Sequence, residues 1–599
     1  MPPRRLSIRR GEPGRRVGIT LLAITIVLTL FAGRLVQIQG MEAAYWRNAA
    51  VKEKLTPITL PALRGTIYGA NGQILAMTIE TYTITADPPM IPAADKPMVA
   101  QQLAGPLAMP AAMVLYRLEH PSSPEYVVLA YNVSATNDVT IEANKFFNAG
   151  ISDNADKPSY TMAYPDGDAT ANVVGFTSTD ASGAITGEAG LEAEYNKELT
   201  GTAGSEQVEM GADNQPIPLA GSQDTPARNG ESIKLTIIPS LQFQAEQACQ
   251  QEMKKSLAKQ CTVVIIQPKT GDILAMAQWP TYNQGSFGSV ADTADLDVQS
   301  EFTPGSTAKV VTAAAALERG GQTPMSSYYI PYVIYRGGQS IHDAEWSPNE
   351  HYTIAGIIAN SSNVGMSQVV AHVSPQIQYD YLKAFGLDQP TGLNLPGETQ
   401  GQLPVPSKWA ADERYTLSYG QGIAVNAVQM ASVYATIANG GVRVAPRLIA
   451  GTYNSEGRYT PAPPSKSTRV IKTKTAKELI SILQQVPGVD EEANQPWGII
   501  PGYAVASKTG TANEPGPSCP PATDPLCVYG ASYIGMAPGN GPQVVVSVNV
   551  QDPDKSHQSY FGDMVAGPVF YSVMENAIAT LQIQPQPGLV PPYVRLNAR

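Results

Sequence analysis

The sequence predicts an α+β protein: an antiparallel sheet flanked by helices, together with a helical subdomain, follows a transmembrane helix and an elongated α+β module. Three observations lead to this fold class. An uncharged apolar run covers residues 17–33, short alternating segments fill residues 61–240, and after Pro239 β-rich runs at both ends enclose mostly helical sequence. Strands that are distant in the chain and enclose helices favour an antiparallel sheet covered by helices.

Length and charge limit the function classes. The chain has 599 residues and 43% hydrophobic content, which is enough for more than one core. Its 40 Lys+Arg and 51 Asp+Glu give a net charge of -11, which argues against a nucleic-acid binder because phosphate neutralisation needs a basic face. Only four cysteines occur, so the chain is not a disulfide scaffold.

The N-terminus predicts a membrane anchor. Six arginines and one acid, Glu12, lie in residues 1–16, and the apolar run VGITLLAITIVLTLFAG follows. As a helix this run is about 25 Å long, and the arginines place the N-terminus in the cytoplasm. A cleaved signal peptide is the alternative, but Leu30, two residues before Ala32, is a poor cleavage signal. We therefore predict a cytoplasmic tail (1–16), a single-pass signal anchor in the cell membrane (17–39) and an extracytoplasmic catalytic part.

Residues 40–238 are predicted to form the elongated N-terminal module, or pedestal. Residues 43–60 look helical up to Pro57 and Pro61, and the segments TYTITAD, YVVLAYNV, EQVEM and SIKLTII alternate as strands do. We find no catalytic motif in this module.

Residues 239–583 are predicted to form the catalytic domain. The helix LQFQAEQACQQEMKKSLAK precedes the hairpin CTVVIIQPKTGDILAMAQWP, and an alanine-rich helix follows Thr303. Helical sequence continues to about Gly441, before the strands YAVASKTGTA, VYGASYIGMAP and QVVVSVNVQDP and a final helix that we expect to pack on the first. Outside the cytoplasm, short-loop disulfides Cys249/Cys261 and Cys519/Cys527 would be permitted. The Pro-rich tail 584–599 is expected to be disordered or draped over the domain.

Three short motifs carry the predicted chemistry, and they occur in the order Ser306-Thr307-Ala308-Lys309, Ser361-Ser362-Asn363 and Lys508-Thr509-Gly510-Thr511. Each pattern also occurs elsewhere in the chain, for example at Ser256–Lys259, Ser152–Asn154 and Lys269–Gly271. Context favours the first set, because Ser256 is expected on a solvated helix face, Ser152 in another module and Lys269 at a hairpin turn. Taken singly, Ser306 could be an ordinary helix cap and Lys508 an exposed strand end.

Position explains why these residue types suit acyl transfer. Ser306 follows Pro304-Gly305 in the first turn of a helix, where backbone N–H groups favour a developing oxyanion. Lys309 lies one turn further on the same face, and burial with a second cation would lower its pKa towards that of a general base.

The other two motifs are given supporting roles. Ser361 and Asn363 would supply a proton relay and an amide donor. Lys508, Thr509 and Thr511 would hold a terminal carboxylate, while Gly510 leaves room for a peptide backbone at the strand edge. A related three-motif set occurs in serine β-lactamases and penicillin-binding proteins, with Asp where this chain has Ser362.

With these residues in view, the chain resembles the class B penicillin-binding proteins over nearly its whole length. The resemblance lies in the segments Arg64–Ile67, Asn71-Gly72, Leu75-Ala76, Gly190–Glu192, Tyr195-Asn196, Leu199, Gly201, Phe302–Ser306, Ser361–Met366, Gly420–Ile423 and Gly562–Phe570. It implies the penicillin-binding/serine β-lactamase-like transpeptidase fold behind a dimerisation-type pedestal.

The resemblance also implies a reaction and partners. Ser306 would attack the penultimate D-Ala of a stem pentapeptide, Lys309 would take its proton, and a neighbouring stem's amine would resolve the acyl-enzyme. The backbone N–H groups of Ser306 and Thr511 would hold the oxyanion, and β-lactams would acylate Ser306. Expected partners are an FtsW/RodA-type membrane glycosyltransferase and division proteins. No cofactor or metal is expected, since the five histidines form no ligand-spaced cluster.

Alternatives remain open at this point. The segments EFTPGSTAK and SSNVGM most resemble the division-specific FtsI type, but Gly69-Ala70 and Met162-Ala163 depart from its pedestal pattern and leave an elongation-type or paralogous enzyme possible. A β-lactamase would need a water-activating base, for which Glu398 is the candidate. A non-catalytic β-lactam sensor would need an output domain, and only 16 residues precede the anchor.

Overall fold

The computed structural model describes residues 13–47, 55–154, 158–180, 183–210, 216–217, 225–285, 293–344, 349–492, 494–514, 528–554, 560–586 and 594–597. Contacts within this part of the chain divide it into two units. One consists of Met1–Ala62 with Thr202–Arg228, and the other of Leu63–Gly201 with Asn229–Arg599. Each is described by itself.

The strands and helices are numbered in chain order. The strands are β1 Leu55–Leu60, β2 Ile67–Tyr68, β3 Ile74–Ala86, β4 Val127–Ser134, β5 Ile151–Ser152, β6 Ser159–Ala163, β7 Thr177–Thr179, β8 Ile185–Gly187, β9 Gly204–Met210, β10 Pro216–Ile217, β11 Ser232–Leu235, β12 Gln260–Ile266, β13 Ile273–Trp279, β14 Ser327–Ile330, β15 Val333–Arg336, β16 Gln339–His342, β17 Glu350–Thr353, β18 Val442–Val444, β19 Ile449–Tyr453, β20 Tyr459–Pro461, β21 Ser467–Arg469, β22 Ala506–Asn513, β23 Tyr529–Ala537 and β24 Val544–Gln551. The helices are α1 Pro13–Val36, α2 Lys96–Leu103, α3 Ala111–Glu119, α4 Ala135–Glu142, α5 Ala171–Val174, α6 Gly190–Glu194, α7 Asn196–Leu199, α8 Pro239–Ser256, α9 Leu296–Gln299, α10 Lys309–Arg319, α11 Ile354–Ala359, α12 Asn363–Val369, α13 Pro375–Ala384, α14 Glu413–Leu417, α15 Ala427–Ala438, α16 Thr473–Leu483, α17 Val486–Glu492 and α18 Gly562–Thr580.

The smaller unit contains the apolar helix and a three-stranded sheet. Helix α1 continues as a π-helical turn, Gln37–Met41, and this segment is long and apolar enough to cross a membrane, a test that a signal sequence would also pass. The predicted helix over residues 43–60 forms at residues 43–47, but it is wrong at Leu55–Leu60, because β1 pairs antiparallel with β9. Pro57 disfavours a helix interior, and it is tolerated in β1 because that strand lies at the sheet edge.

The pedestal residues of the larger unit build a mixed sheet in the order β20-β19-β11-β2-β3-β4, with β5 and β6 paired to β3. Strands β19 and β20 come from residues that we predicted to lie in the catalytic domain. Beside this sheet the buried Arg64 guanidinium lies 2.7 Å from the buried Glu192 carboxylate and also donates to Asn196 Oδ1 at 2.9 Å. This ion pair joins two of the segments that carry the family resemblance. The exact domain boundaries stay a prediction.

The catalytic part is organised around a five-stranded antiparallel sheet in the order β13-β12-β24-β23-β22. Helices α8 and α18 pack on one another and on this sheet, as expected for the first and last helices. A disulfide joins Cys249 in α8 to Cys261 in β12. The second suggested pair, Cys519 and Cys527, lies outside the described residues.

Helices α10 to α16 cover the other side of the sheet within the largest apolar cluster, and short hairpins built from β14 to β17 interrupt the stretch that we predicted to be mostly helical. Part of the C-terminal tail is draped over this region. The N–H of Thr353 donates to the Leu596 carbonyl oxygen at 2.9 Å.

Candidate active site

Ser306 lies in a 3₁₀ turn, Gly305–Ala308, that leads directly into α10. Gly305 has φ +53°, and a Cβ at this position would lie 3.1 Å from the Thr511 carbonyl oxygen. Its N–H donates to the Gly420 carbonyl oxygen at 3.1 Å. Glycine therefore allows the turn to approach both neighbouring segments closely. The Ser306 side chain is half-buried, and its hydroxyl has no hydrogen-bond partner within the described part of the chain.

Buried hydrogen bonds hold this turn. The Tyr434 hydroxyl in α15 donates to the Thr307 carbonyl oxygen at 2.9 Å, and the Thr307 hydroxyl donates to the Pro304 carbonyl oxygen at 2.7 Å. Just upstream, both carboxylate oxygens of Glu514 accept the Thr303 N–H at 3.1 Å. Since these groups are largely withdrawn from water, the position of Ser306 is set by its surroundings before any substrate binds.

Lys309 is fully buried and its ammonium nitrogen faces the second motif. Nζ donates to the Ser361 carbonyl oxygen and lies 3.3 Å from Ser361 Oγ. Burial, and then the charge of Lys508, hold the pKa of Lys309 well below its ordinary value, while Asp343 acts in the opposite direction. A neutral amine at this position is the form that a general base needs.

The second motif occupies the sharp turn between α11 and α12. Ser361 has φ +54°, a conformation that L-residues with a side chain adopt at a cost of about 1–2 kcal/mol. Ser362 caps α12 by accepting the Gly365 N–H at 2.9 Å, and Asn363 Nδ2 donates to the His342 carbonyl oxygen at 3.4 Å. The strained turn directs the carbonyl and hydroxyl of Ser361 to Lys309.

Asp343 is a site residue that sequence reasoning missed. One of its carboxylate oxygens accepts the Ser362 hydroxyl at 2.8 Å, and the other accepts the Val364 N–H at 2.9 Å. It therefore places at the N-terminus of α12 the negative charge that the related motif set carries on its own middle residue. The sequence feature that could have pointed to Asp343 is Ser362, because a serine at this position leaves the start of α12 without a carboxylate of its own.

The third motif lies on β22, the edge strand of the five-stranded sheet. Lys508 is fully buried, and its Nζ donates to the carbonyl and hydroxyl oxygens of Thr509 at 3.1 and 3.3 Å. Burial lowers the pKa of Lys508 to about 8, although the charges of Asp490 and Asp563 oppose this. An edge strand leaves one row of backbone groups able to pair with an extended peptide.

Gly510 and Thr511 are engaged by the protein itself. A Cβ at Gly510 would contact Ser532 Oγ and would lie 3.0 Å from Thr307 Cγ2. Here glycine allows β22 to pack against the turn that carries Ser306, which is a requirement of the fold in addition to the predicted space for substrate. The Thr511 hydroxyl accepts the Gly562 N–H at 2.9 Å and so ties the motif to the start of α18.

The residues that carry the competing patterns have structural partners. Ser256 is fully buried, so the prediction of a solvated face is wrong, and its hydroxyl donates to the Glu252 carbonyl oxygen at 2.8 Å. Thr270 donates to Gln267 Oε1 within the β12–β13 turn. Glu398, the candidate base of the β-lactamase alternative, also has a structural partner. Its carboxylate accepts the Thr391 N–H and so holds its own loop.

Comparison with known proteins shows the same two-part organisation. Residues 261–575 match the family model "Penicillin binding protein transpeptidase domain", and residues 59–235 match "Penicillin-binding Protein dimerisation domain". The chain is 32% identical over 628 residues to penicillin-binding protein PbpB of Mycolicibacterium smegmatis, covering 98% of this chain and 94% of the relative. It is 29% identical to peptidoglycan D,D-transpeptidase FtsI of Escherichia coli K12, covering 95% and 91% of the two chains.

Solved structures agree with these matches. The crystal structure of penicillin binding protein 3 from Mycobacterium tuberculosis complexed with aztreonam is 28% identical, with a TM-score of 0.68. The alignment covers 90% of this chain and 100% of that one. The complex of the same protein with ampicillin gives a TM-score of 0.69.

Proposed function

Because this chain belongs to the class B penicillin-binding proteins, a family of serine acyl-transfer enzymes, and is a peptidoglycan D,D-transpeptidase, we propose that Ser306 is the residue that carries the acyl group. The observation that carries the proposal is the environment of Lys309. A fully buried lysine with a strongly lowered pKa follows Ser306 by three residues and faces Ser361. This arrangement activates a hydroxyl by removing its proton.

The acylation step follows from these positions. The Lys309 amine takes the Ser306 proton, Ser306 Oγ bonds to the penultimate D-Ala carbonyl carbon, and the Ser361 hydroxyl passes the proton to the departing D-Ala amine. The amide bond breaks, and an ester joins the stem peptide to Ser306. An amine of a second stem then attacks this ester, and its proton returns to the Ser306 oxygen.

Binding of the donor stem is assigned to the third motif. The backbone of β22 pairs with the peptide, while Lys508, Thr509 and Thr511 face its terminal carboxylate and Asn363 donates to a peptide carbonyl. The N–H groups of Ser306 and Thr511 hold the oxyanion. Penicillins enter by the same route, since aztreonam and ampicillin occupy a relative of this fold.

The acylation site is tested with full-length protein in detergent and a fluorescent penicillin. Ser306→Ala should abolish labelling. Ser256→Ala, which removes the serine of the competing pattern, should label like the wild type. Label that survives Ser306→Ala would overturn the assignment. The adduct should persist for many minutes, whereas rapid release of hydrolysed penicillin would favour a β-lactamase.

We assign the enzyme to septal wall synthesis during cell division, on the resemblance of Glu301–Lys309 and Ser361–Met366 to the division-specific type. In this assignment α1 is a single-pass anchor, the arginine-rich tail is cytoplasmic, and an FtsW/RodA-type glycosyltransferase is the membrane partner. A tagged chain should localise to the septum, and its co-purified glycosyltransferase should be the one used in division. Uniform side-wall localisation would indicate the elongation-type alternative.

A further inference from the structure

A groove opens beside the turn that carries Ser306. Its volume is about 920 Å³, which lies in the range of ligand pockets in proteins. Thr303, Asn513 and Glu514 line it next to the motifs, and residues 400–405, residues 421–424 and Lys408 line much of the rest. We call this cavity the end groove, because it lies where β22 ends at Asn513.

The direction of the donor peptide along β22 leads to the end groove. In the proposed function the terminal carboxylate faces Lys508, and the reacting carbonyl carbon has to lie beside Ser306. The turn before Ser306 meets β22 further along the strand, since a Cβ at Gly305 would lie 3.0 Å from Ala512 Cβ. The peptide therefore runs antiparallel to β22, and each of its residues advances by about 3.3 Å. The stem residue that precedes D-Ala-D-Ala then lies beside the end of β22, at the mouth of the groove.

The end groove carries one acidic and one basic group whose charges the surrounding protein does not balance. Glu514 is partly buried, and both of its carboxylate oxygens accept the neutral Thr303 N–H at 3.1 Å. Lys408 is exposed. Neither residue belongs to any of the ion pairs formed within the described ranges. The second acid of the groove, Asp388, is already neutralised, because its carboxylate lies 2.9 Å from Lys383 Nζ.

We propose that the end groove binds the side chain of the donor-stem residue before D-Ala-D-Ala, and that Glu514 and Lys408 select a side chain ending in both an ammonium and a carboxylate group. The inference rests on the proposed function, from which the position of the donor is taken. The ammonium donates to Glu514, and the carboxylate accepts from Lys408. Diaminopimelate has such an end, whereas lysine has the ammonium group alone, so diaminopimelate is the preferred residue.

The two charged groups contribute unequally. Burial raises the pKa of Glu514 to about 7, and a bound ammonium favours its ionised form, so the contact becomes a charge-assisted hydrogen bond. Losing such a bond at a partly buried site should lower the reaction rate about tenfold or more. Lys408 is exposed, and water screens its attraction for a carboxylate, so its loss should lower the rate only about two- to fivefold.

The test compares four donor peptides of the form acetyl-X-D-Ala-D-lactate. X is diaminopimelate, lysine, 2-aminopimelate or norleucine, whose side chains end in both charges, the ammonium, the carboxylate or neither. Release of D-lactate by full-length protein in detergent gives kcat/KM for each donor at pH 8, above the pKa of Glu514. Where release is too slow to measure, the extent to which each peptide slows labelling by fluorescent penicillin ranks the donors instead.

The expected result is a set of ratios between donors. The wild type should prefer diaminopimelate to norleucine at least about tenfold. Glu514→Gln should lose the preference for lysine over norleucine, and Lys408→Gln the preference for 2-aminopimelate over norleucine. Because each ratio is taken within one variant, a general loss of activity or a displaced Ser306 cancels. Lys466→Gln and Asp380→Asn change exposed charges outside the groove and should keep all ratios.

Three results would overturn the proposal. They are equal rates for the diaminopimelate and norleucine donors in the wild type, a lysine donor that reacts faster than the diaminopimelate donor, and a charge preference that persists in the variant lacking its partner. The proposed function would survive all three, because it requires only that Ser306→Ala abolish release from every donor. Release that continues in Ser306→Ala would instead contradict the acylation site itself.

Discussion

Replacing Asp343 by Asn tests how Lys309, the proposed general base, is positioned. The Asp343 carboxylate holds the Ser362 hydroxyl and the Val364 N–H at the N-terminus of α12, and its charge raises the pKa of Lys309. Asn keeps one acceptor oxygen and removes the charge. The turn that carries Ser361 should loosen, and the pKa of Lys309 should fall further.

The size of the effect follows from the bonds lost. A hydrogen bond to a charged group contributes about 1.5–3 kcal/mol, and Asp343→Asn removes about one such bond. An activation barrier that rises by 1.36 kcal/mol slows a reaction tenfold, so losing this bond would slow acylation by penicillin by at most about 10- to 150-fold. The lower end is expected because Asp343 is only half-buried and water can replace part of what is lost.

The assay is the second-order rate of acylation by fluorescent penicillin, measured from pH 5 to pH 9. Because a lower pKa leaves the Lys309 amine neutral at lower pH, the acidic limb of the rate profile should move towards lower pH. A mere loss of packing would slow the reaction without moving this limb. Asp380→Asn, an exposed acid on α13, is the control. A normal rate with an unmoved limb in Asp343→Asn would refute the reasoning.

Three further predictions concern the turn around Ser306. Gly510→Ala places a methyl group about 3 Å from Thr307 and should slow penicillin labelling at least about tenfold while the far-UV circular dichroism stays native; normal labelling would contradict the packing argument. Tyr434→Phe leaves the buried Thr307 carbonyl oxygen without its donor and should lower the free energy of unfolding by about 1–3 kcal/mol in urea, whereas Tyr459→Phe, which removes an exposed bond of the same kind, should change it by less than about 0.5 kcal/mol. Burial raises the pKa of Glu514 from 4.5 to about 7, so between these pH values the folded chain retains a proton that the unfolded chain has lost. The stability that this proton contributes should disappear as pH rises from about 5 to 8. In urea titrations, Glu514→Gln should make the free energy of unfolding decline less over that pH range.

The catalytic part of the fold was largely predictable because its signals are local. The hairpin around Gly271, helix α8 and the strand that carries Lys508 all show the expected periodicity, and each forms where expected. Strands β19 and β20 could not be assigned to the pedestal sheet, because pairing between distant segments leaves no mark on either one alone. The helix expected over residues 43–60 was wrong at Leu55–Leu60 for a different reason: the side-chain pattern favoured a helix, while pairing with β9 determined the structure there.

The three motifs predicted which of their own residues lie close together, but not the residues that hold them in place. Sequence order predicted that Ser306, Lys309, Ser361 and Lys508 belong to one site, and the structure brings them together. Asp343 and Glu514 could not be found in this way, because no spacing rule encodes their contacts. Asp343 accepts the Ser362 hydroxyl and the Val364 N–H, and Glu514 accepts the Thr303 N–H. Their functional roles, like those of the motif residues, stay predictions.

The supporting residues explain how Lys309 can be buried and still act as the proposed general base. The ammonium form of a buried amine beside a second cation is unfavourable, so burial and Lys508 lower the pKa of Lys309. A nearby negative charge limits this decrease. Asp343 provides that opposition while its oxygens are already committed to Ser362 and Val364, so it does not quench the amine in an ion pair. A serine at the middle position of the second motif is then suited to this site because the Asp343 carboxylate reaches the same helix start from elsewhere in the chain. It follows that Ser362→Asp in this chain should be harmful with Asp343 present, because two like charges would meet there, and should be tolerated again with Asp343→Asn; penicillin acylation rates of the two single variants and the double variant measure this coupling directly.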